Sequence, residues 1–212
     1  AVIGPNGAGK TTLIAQLAGE LMPDSGQIRL LGRNVTRLPM HRRSRLGLAR
    51  SFQITSIFHD FTVLDNVALA VQAQAGHSFR FWRDARRQRE LRDPPMAALA
   101  VVDLSARAGD IAAALSHGEH RQLEIAMALA TRPNVLLLDE PMAGMGPEES
   151  QRLVGTLHGF KGRLATLLVE HDMEAVFALA DRITVLVYGR VIATGTPDQI
   201  RSNPDVRQAY LG

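Results

Sequence analysis

The sequence predicts an α/β fold with a mainly parallel sheet and an inserted helical subdomain. Short, continuous apolar runs such as Val135 to Leu138 alternate with helical patterns in the last third of the chain. Such runs are typical of strands buried on both faces of a parallel sheet. Between about Phe58 and Thr131 the pattern is mostly helical. We therefore expect one domain over residues 1–212, with a core lobe (1–57 and 132–212) and a helical subdomain (58–131).

The first element is a short strand that leads into a phosphate-binding loop. Three residues precede the sequence Gly4-Pro5-Asn6-Gly7-Ala8-Gly9-Lys10-Thr11, which fits the pattern G-x-x-x-x-G-K-[ST]. Its glycines let backbone N–H groups approach phosphate oxygens. A glycine-rich turn that binds nothing would need neither the lysine nor the threonines, so the loop predicts nucleotide binding.

The residues that close this loop have separate chemical roles. Lys10 can reach the β- and γ-phosphates, and the Thr11 hydroxyl is placed to ligate Mg²⁺. Thr12 is available to an α- or β-phosphate oxygen. The apolar spacing over residues 11–19 predicts a helix whose positive end faces the phosphates.

The next elements lead from the loop into the helical part of the chain. Turn formers fill residues 22–26, and a strand is predicted over 27–31. The chain returns to the core over 46–54, and Asp65 is predicted to cap a helix. Residues 79–90 are polar and predict a solvated helix. The alternative, a nucleic-acid patch, fits less well because acidic residues are interspersed.

The last third predicts two further buried strands and two capped helices. The strands are Leu164 to Val169 and Ile183 to Tyr188, and the second continues into a hairpin at Gly189. Thr196 and Asn203 each precede a proline and predict helix starts, the first with a capping box.

Two carboxylates follow the apolar run Val135 to Leu138. Asp139 and Glu140 leave an apolar strand at the edge where ligands of parallel sheets collect. Buried carboxylates are costly unless cations or water accompany them. Asp139 is suited to the Mg²⁺ shell and Glu140 to polarising an attacking water.

A serine and a glycine precede the longest helical pattern. Ser116 and Glu119 fit a capping box, which stabilises a helix by about 1 kcal/mol. Alternatively, Ser116, the Gly118 N–H and the helix end form a second phosphate site. The residues alone leave both interpretations open.

Composition limits the classes of function. Hydrophobic residues are 46% and charged residues 21%, without cysteine or a signal peptide. No apolar run approaches the roughly 18 residues of a membrane span, so any membrane role needs a partner. The net charge of +3 does not indicate nucleic-acid binding. The three-residue first strand is shorter than the usual five or six, so we expect either that the chain has been clipped or that it is a fragment.

The ordered motifs resemble those of the ATP-binding cassette (ABC) ATPases over essentially the whole chain. These are the phosphate loop, Gln53, Leu115-Ser116-His117-Gly118-Glu119, Leu138-Asp139-Glu140 and Glu170-His171-Asp172. The resemblance implies a P-loop NTPase core that binds ATP and Mg²⁺. It also implies antiparallel strands and an adenine-stacking aromatic before the loop, which this sequence lacks, so base stacking is assigned to no residue.

The resemblance implies roles for individual residues of these motifs. Lys10, Thr11 and Thr12 would hold phosphates and Mg²⁺. Gln53 would contact the metal and the attacking water, and Asp139 would support the metal. Glu140 would act as general base, and His171 would contact the γ-phosphate.

The resemblance also implies an assembly. Ser116 and Gly118 would bind the γ-phosphate held by a second ATPase subunit, in a homodimer or a heterodimer. Gln53 would face transmembrane permease subunits, with a solute-binding protein outside and no nucleic acid. The chain would lie at the cytoplasmic face of the membrane. His117 and Gly146 depart from the common glycine and aspartate, which leaves the usual dimer contact of that aspartate without a residue.

Finer details are similar to the branched-chain amino-acid uptake group, in its ATPase with the longer helical insertion. They are Ser51-Phe52-Gln53, residues 140–145, Glu170 to Met173 and the ending 203–212. The alternatives are an ATPase of urea or amide uptake, a soluble ABC ATPase acting on nucleic acid, and a subunit that does not hydrolyse ATP. Glu140 and His171 argue against the last of these.

Overall fold

The computed structural model describes residues 1–51, 57–75 and 89–211. Among these residues the strands form a six-stranded sheet and a two-stranded hairpin. The strands are β1 (Val2–Ile3), β2 (Arg29–Leu30), β3 (Arg33–Asn34), β4 (Leu48–Arg50), β5 (Val135–Asp139), β6 (Ala165–Val169), β7 (Ile183–Val187) and β8 (Arg190–Gly195). The sheet order is β4-β5-β6-β1-β7-β8, parallel except for β8, and β2 pairs with β3. The predicted mainly parallel α/β fold is confirmed.

Helices cover the sheet and form the insertion. They are α1 (Lys10–Ala18), α2 (Met40–Arg45), α3 (Val63–Ala75), α4 (Arg89–Val101), α5 (His117–Ala130), α6 (Pro147–His158), α7 (Met173–Leu179), α8 (Pro197–Ser202) and α9 (Pro204–Leu211). Helices α3, α4 and α5 pack on one another. Within the described ranges, no helix combines the length and apolar character that a membrane span requires. The division into two lobes at residues 58 and 131 stays a prediction.

The sheet and the insertion share a continuous apolar core. Leu136 and Leu138 of β5 are fully buried and belong to one cluster with Leu123 of α5 and Leu153 of α6. The continuous apolar run of β5 is therefore explained by burial on both faces. The insertion is fixed to the strand that carries Asp139.

Strand β6 is less buried than its apolar sequence predicts. Leu168 and Val169 are buried, but Ala165 and Thr166 are exposed. They lie at the start of the strand, where no described residue covers them. The prediction of burial on both faces is correct only for the end of β6 that leads to His171.

The predicted cap of α3 is wrong. Thr62, not Asp65, precedes the helix, and the Thr62 hydroxyl accepts a hydrogen bond from the Asp65 N–H at 3.0 Å. A threonine side chain satisfies a free N–H group of the first turn as an aspartate does. Asp65 instead lies in the first turn, where its negative charge interacts favourably with the positive end of the helix dipole.

The caps of the last two helices are confirmed. Thr196 and Gln199 form a capping box, and the Asn203 side chain accepts from the N–H groups of Asp205 and Val206.

The segment predicted over 46–54 contains β4, but residues 52–56 lie outside the described residues. Most of the polar segment 79–90 does so too, which leaves its two interpretations untested.

Arg43 organises the packing of the phosphate-loop helix. Its side chain is fully buried, and it donates hydrogen bonds to the carbonyl oxygens of Gln16 and Leu17 at the end of α1 and to those of Thr36 and Leu38. The last carbonyls of a helix have no partner within the helix. Gly19 caps the end of α1 through its backbone N–H, and Arg43 adds hydrogen bonds to the last carbonyls from a neighbouring helix.

Candidate functional site

The ends of three neighbouring strands create the site. Strands β5, β6 and β1 lie side by side and run in the same direction. Strand β5 ends at Asp139 and is followed by Glu140, β6 is followed by Glu170-His171, and β1 is followed by the phosphate loop that starts at Gly4. Parallel strands end at the same edge of a sheet, so residues distant in sequence meet there.

The phosphate loop is held in shape from both sides. Lys10 donates from Nζ to the carbonyl oxygens of Gly4 and Pro5, at 2.7 and 3.0 Å. On the outer side, the Gly189 N–H donates to the carbonyl of Ala8 at 2.9 Å. A side chain at Gly4 would clash, since its Cβ would lie 2.1 Å from the Leu186 oxygen. The turn between β7 and β8 therefore supports the loop.

The start of α1 is open for an anion. Gly9 occupies the N-cap with a φ of 98°, and no side chain caps the helix. The first turn carries no acidic residue, and Thr11 and Thr12 are exposed in it. Free N–H groups and the helix dipole together favour a phosphate at this position.

Lys10 lies close to the two carboxylates. Its side chain is buried, and burial lowers the pKa of Lys10 below its usual range, while Glu140 and Asp139 oppose that effect. These influences connect the phosphate loop electrostatically to the end of β5. The three side chains form one charged group at the sheet edge.

Asp139 has one paired and one unpaired oxygen. The side chain is 1% exposed, and Oδ2 lies 3.3 Å from Nη2 of Arg50. Oδ1 has no hydrogen-bond partner in the described part of the chain. Burial raises the pKa of Asp139, Arg50 opposes this, and Glu140 adds to it. A buried carboxylate oxygen without a donor fits the shell of a hard cation such as Mg²⁺.

Glu140 and His171 are in direct contact. Nε2 of His171 lies 2.8 Å from Oε1 of Glu140, and both side chains remain partly exposed. The Glu140 backbone has a φ of 50°, in the left-handed region, which costs a non-glycine residue of order 1 kcal/mol. The Glu140 N–H also donates to the Val169 oxygen at 2.8 Å. The conformation turns the side chain from the strand toward His171.

Sequence reasoning missed the role of Glu170. This buried carboxylate accepts hydrogen bonds from the Met142 N–H through Oε1 and from the His171 N–H through Oε2, each at 2.9 Å. It therefore joins the loop after Glu140 to the loop that carries His171. An acidic residue directly after an apolar strand, as at Asp139, was the signal that could have indicated it.

Sequence reasoning also missed Arg50. Its Nη1 lies 2.5 Å from Oε1 of Glu20, and its Nη2 contacts Asp139. No local pattern could have paired Arg50 with a carboxylate 89 positions away. The guanidinium connects β4, the segment after α1 and the end of β5.

Ser116 and Gly118 lie at the start of α5, away from the contacts described above. Ser116 and Glu119 form the predicted capping box, with hydrogen bonds of 2.7 and 3.2 Å. Gly118 packs on Glu149, whose oxygen would lie 2.6 Å from a Cβ at that position. Glu149 also accepts from the Gly146 N–H at 3.0 Å. The capping role is confirmed, and a second phosphate site stays a prediction.

Gln53 and His117 are the two remaining residues that the sequence singles out. Gln53, expected to contact the metal, lies outside the described residues. The imidazole of His117, which stands where a glycine is common, packs against Gly144: its Cδ2 would lie 2.7 Å from a Cβ there. This histidine therefore contacts the loop between Glu140 and α6.

Comparison with known families gives two matches. The model of the family described as "ABC transporter" matches residues 1–143. The model described as "Branched-chain amino acid ATP-binding cassette transporter" matches residues 190–212.

Curated relatives match the full chain. BraF of Pseudomonas aeruginosa, a high-affinity branched-chain amino acid transport ATP-binding protein, is 40% identical over 218 residues, covering 100% of this chain and 86% of the relative. LivG of Escherichia coli K12, with the same description, is 39% identical over 223 residues with the same coverage.

Solved structures show the same fold. A nucleotide-free ATP-binding cassette from an ABC transporter superposes with a TM-score of 0.86 at 27% identity, covering 100% of this chain and 87% of the other. The ADP conformation of MJ1267, an ATP-binding cassette of an ABC transporter, gives a TM-score of 0.84 at 27% identity, covering 100% of this chain and 86% of the other.

Proposed function

Because the chain belongs to the ABC transporter family of ATP-binding proteins, we propose that it powers the uptake of branched-chain amino acids. The chain binds nucleotide and is an ATPase. The carried solute is inferred from the relatives BraF and LivG and from the match over residues 190–212. Membrane permease subunits and dimerisation follow from membership of the family.

One observation carries the proposed mechanism: the contact between Glu140 and His171 at the sheet edge that also holds Lys10 and Asp139. The Glu140 carboxylate accepts a proton from the attacking water as general base. His171 orients that carboxylate and contacts the γ-phosphate. Lys10 and the N–H groups of residues 4–9, with Thr12, hold the phosphates and stabilise charge that develops on them.

Mg²⁺ fits the donors that the chain offers. Thr11 and Asp139 would hold the ion, together with Gln53. The unpaired, buried Oδ1 of Asp139 supports this assignment. When bound, Mg²⁺ neutralises the negative charge of the phosphate oxygens. Arg50 holds the other oxygen of Asp139 and so fixes the direction of the carboxylate.

The location of Ser116 and Gly118 supports the proposed assembly. Both lie at the start of α5, with Ser116 exposed, and we assign them to the nucleotide of a second ATPase subunit. Two ATP molecules would lie between two subunits, and hydrolysis would reopen the pair. The chain would work at the cytoplasmic face of the membrane with permease subunits, supplied by an external solute-binding protein.

Lys10→Ala tests the nucleotide site. We expect ATP binding, followed by equilibrium titration with a fluorescent ATP analogue, to weaken at least tenfold because the phosphates lose a buried cation. Lys161→Ala, a change at a lysine far from the phosphate loop, is the matched control. Equal affinity in Lys10→Ala and wild type would reject the site.

Uptake into vesicles tests the solute. The ATPase is reconstituted with its permease subunits in vesicles that contain ATP, and the solute-binding protein is added in excess outside. We expect uptake of labelled leucine to exceed uptake of labelled urea. Uptake of urea or an amide but not of leucine would contradict the proposed solute and would leave the assignment of ATPase activity unchanged.

A further inference from the structure

The turn between β7 and β8 touches the outer side of the phosphate loop. It consists of Tyr188 and Gly189, the two residues that lie between these strands. The Gly189 N–H donates a hydrogen bond to the Ala8 carbonyl at 2.9 Å. A Cβ at Gly9 would lie 3.7 Å from the Cα of Gly189. Tyr188 is therefore next in sequence to a residue that packs on the loop.

Tyr188 is an unusual residue for such a turn. Tyr188 and Gly189 have φ angles of 47° and 75°, both in the left-handed region. A two-residue hairpin turn of this kind favours asparagine, aspartate or glycine, and a bulky side chain in it is strained. Tyr188 is 88% exposed, so packing within the described part of the chain does not offset this strain. A residue that breaks a local rule without a compensating contact indicates a functional role.

The order of the strands indicates where the sugar and base of a bound nucleotide lie. Glu140 and His171 follow β5 and β6, on one side of β1, and β7 lies on the other side. In the proposed function the γ-phosphate faces Glu140 and His171, whereas Thr12 holds an oxygen nearer the sugar. The row of phosphates therefore leads away from β5 and β6, and the nucleoside leaves the loop on the side of β7. Tyr188 is an exposed aromatic residue on that side.

We propose that Tyr188 binds the nucleoside of ATP, with its ring packed against the base and the sugar. The inference rests on the proposed function, since it assigns a further residue to the same nucleotide. An aromatic ring offers a flat apolar face on which a base can stack. Such a contact supplies the compensation that the strained turn lacks within the chain. Tyr188 therefore raises the affinity for the nucleotide without contacting the reacting γ-phosphate.

Two ligands that differ by the nucleoside test this contact. Titration calorimetry in the presence of Mg²⁺ measures the affinity of the chain for ADP, and displacement of ADP measures the affinity for pyrophosphate. Tyr188→Asn removes the ring and supplies a residue that the turn favours. We expect its affinity for ADP to fall about fivefold or more, with the affinity for pyrophosphate unchanged. Unchanged affinity for ADP, or equal losses for both ligands, would overturn the proposal.

Two further variants of the hairpin control the measurement. Tyr188→Phe keeps the ring and should retain the wild-type affinity for ADP. Val191→Thr, at a 60% exposed position of β8, should also bind ADP as wild type does. Urea unfolding should show that Tyr188→Asn is at least as stable as wild type, because asparagine relieves the strain of the turn. Lower stability together with unchanged affinity for ADP would show that the tyrosine serves the hairpin, and would overturn the proposal.

The outcomes separate this proposal from the proposed function. Lys10→Ala should weaken the binding of both ADP and pyrophosphate, because Lys10 binds the phosphate groups that the two ligands share. If Lys10→Ala weakens both ligands and Tyr188→Asn weakens neither, the phosphate site stands and the proposal for Tyr188 fails. If Lys10→Ala binds both ligands as wild type does, the phosphate site itself is rejected.

Discussion

At the scale of single residues, the site is a set of charges that compensate one another. Asp139 is buried against Arg50, Glu140 contacts His171, and Lys10 lies inside the loop it closes. Each charge has a partner at the same sheet edge, which offsets the cost of removing it from water. Glu124 of α5 resembles Asp139 in one respect, because only one of its two carboxylate oxygens has a described partner.

The burial of Glu124 predicts a pH-dependent stability. Its pKa is raised, so the folded chain binds the proton more tightly than the unfolded chain. The carboxylate therefore destabilises the fold increasingly as the pH rises from the ordinary carboxyl pKa through the raised one. Glu124→Gln removes this charge. We expect the variant to be more stable than wild type at neutral pH, by about 1.4 kcal/mol for each pH unit between the two pKa values.

Urea unfolding of both chains between acidic and neutral pH measures this effect. The difference in free energy of unfolding should vanish below the ordinary carboxyl pKa. A variant that is less stable than wild type at neutral pH would show that the ion pair between Glu124 and Arg121 outweighs burial.

At the scale of elements, the helices are held by side chains from elsewhere in the sequence. Arg43 of α2 donates hydrogen bonds to the last carbonyls of α1, and Glu149 of α6 packs on Gly118 at the start of α5. The elements that surround the nucleotide site are therefore fixed to neighbours. Displacing one would move a binding residue with it.

Arg43→Met tests the contribution of the Arg43 hydrogen bonds. We expect the free energy of unfolding to fall by about 3 kcal/mol, because four carbonyl oxygens lose a buried donor. Arg42→Met, at the adjacent exposed position, should change it by less than about 0.5 kcal/mol. Denaturant unfolding measures both, and equal effects would show that Arg43 contributes no more than a surface arginine.

Local patterns predicted the elements better than the contacts between them. The strand β5, the helix after the phosphate loop and the capping boxes at Ser116 and Thr196 all depend on neighbouring residues in sequence, and each was predicted correctly. The contacts of Arg50, Arg43 and Glu170 depend on the meeting of distant segments. The cap of α3 was misassigned because threonine and aspartate are both favourable N-cap residues. Which of Thr62 and Asp65 caps the helix depends on where the helix begins.

At the scale of the whole molecule, the site is proposed to be completed by two subunits. Lys10→Ala removes the lysine that binds the phosphates in a subunit's own site. Ser116→Arg blocks the start of α5, which is proposed to complete the site of the partner subunit. Each variant alone is predicted to be inactive. If two copies of the chain pair at random, about half of the dimers in an equal mixture contain one subunit of each variant. Each of these mixed dimers has one intact site out of two, so about a quarter of wild-type ATPase activity should return.

A matched mixture controls this experiment. Lys10→Ala mixed with Glu140→Gln should recover nothing, because both changes affect the same half of the site and every mixed dimer carries two damaged sites. Recovery in this control, or none with Ser116→Arg, would contradict completion of the site between two copies of the chain.

The most direct test of the account is the turnover of Glu140→Gln. The variant should bind ATP with Mg²⁺ as wild type does, because Lys10, Thr11 and Asp139 are unchanged. Its steady-state rate of phosphate release should fall by about 10² to 10⁴-fold through loss of the general base. Turnover equal to that of wild type, with ATP binding intact, would contradict the assignment of hydrolysis to the contact between Glu140 and His171.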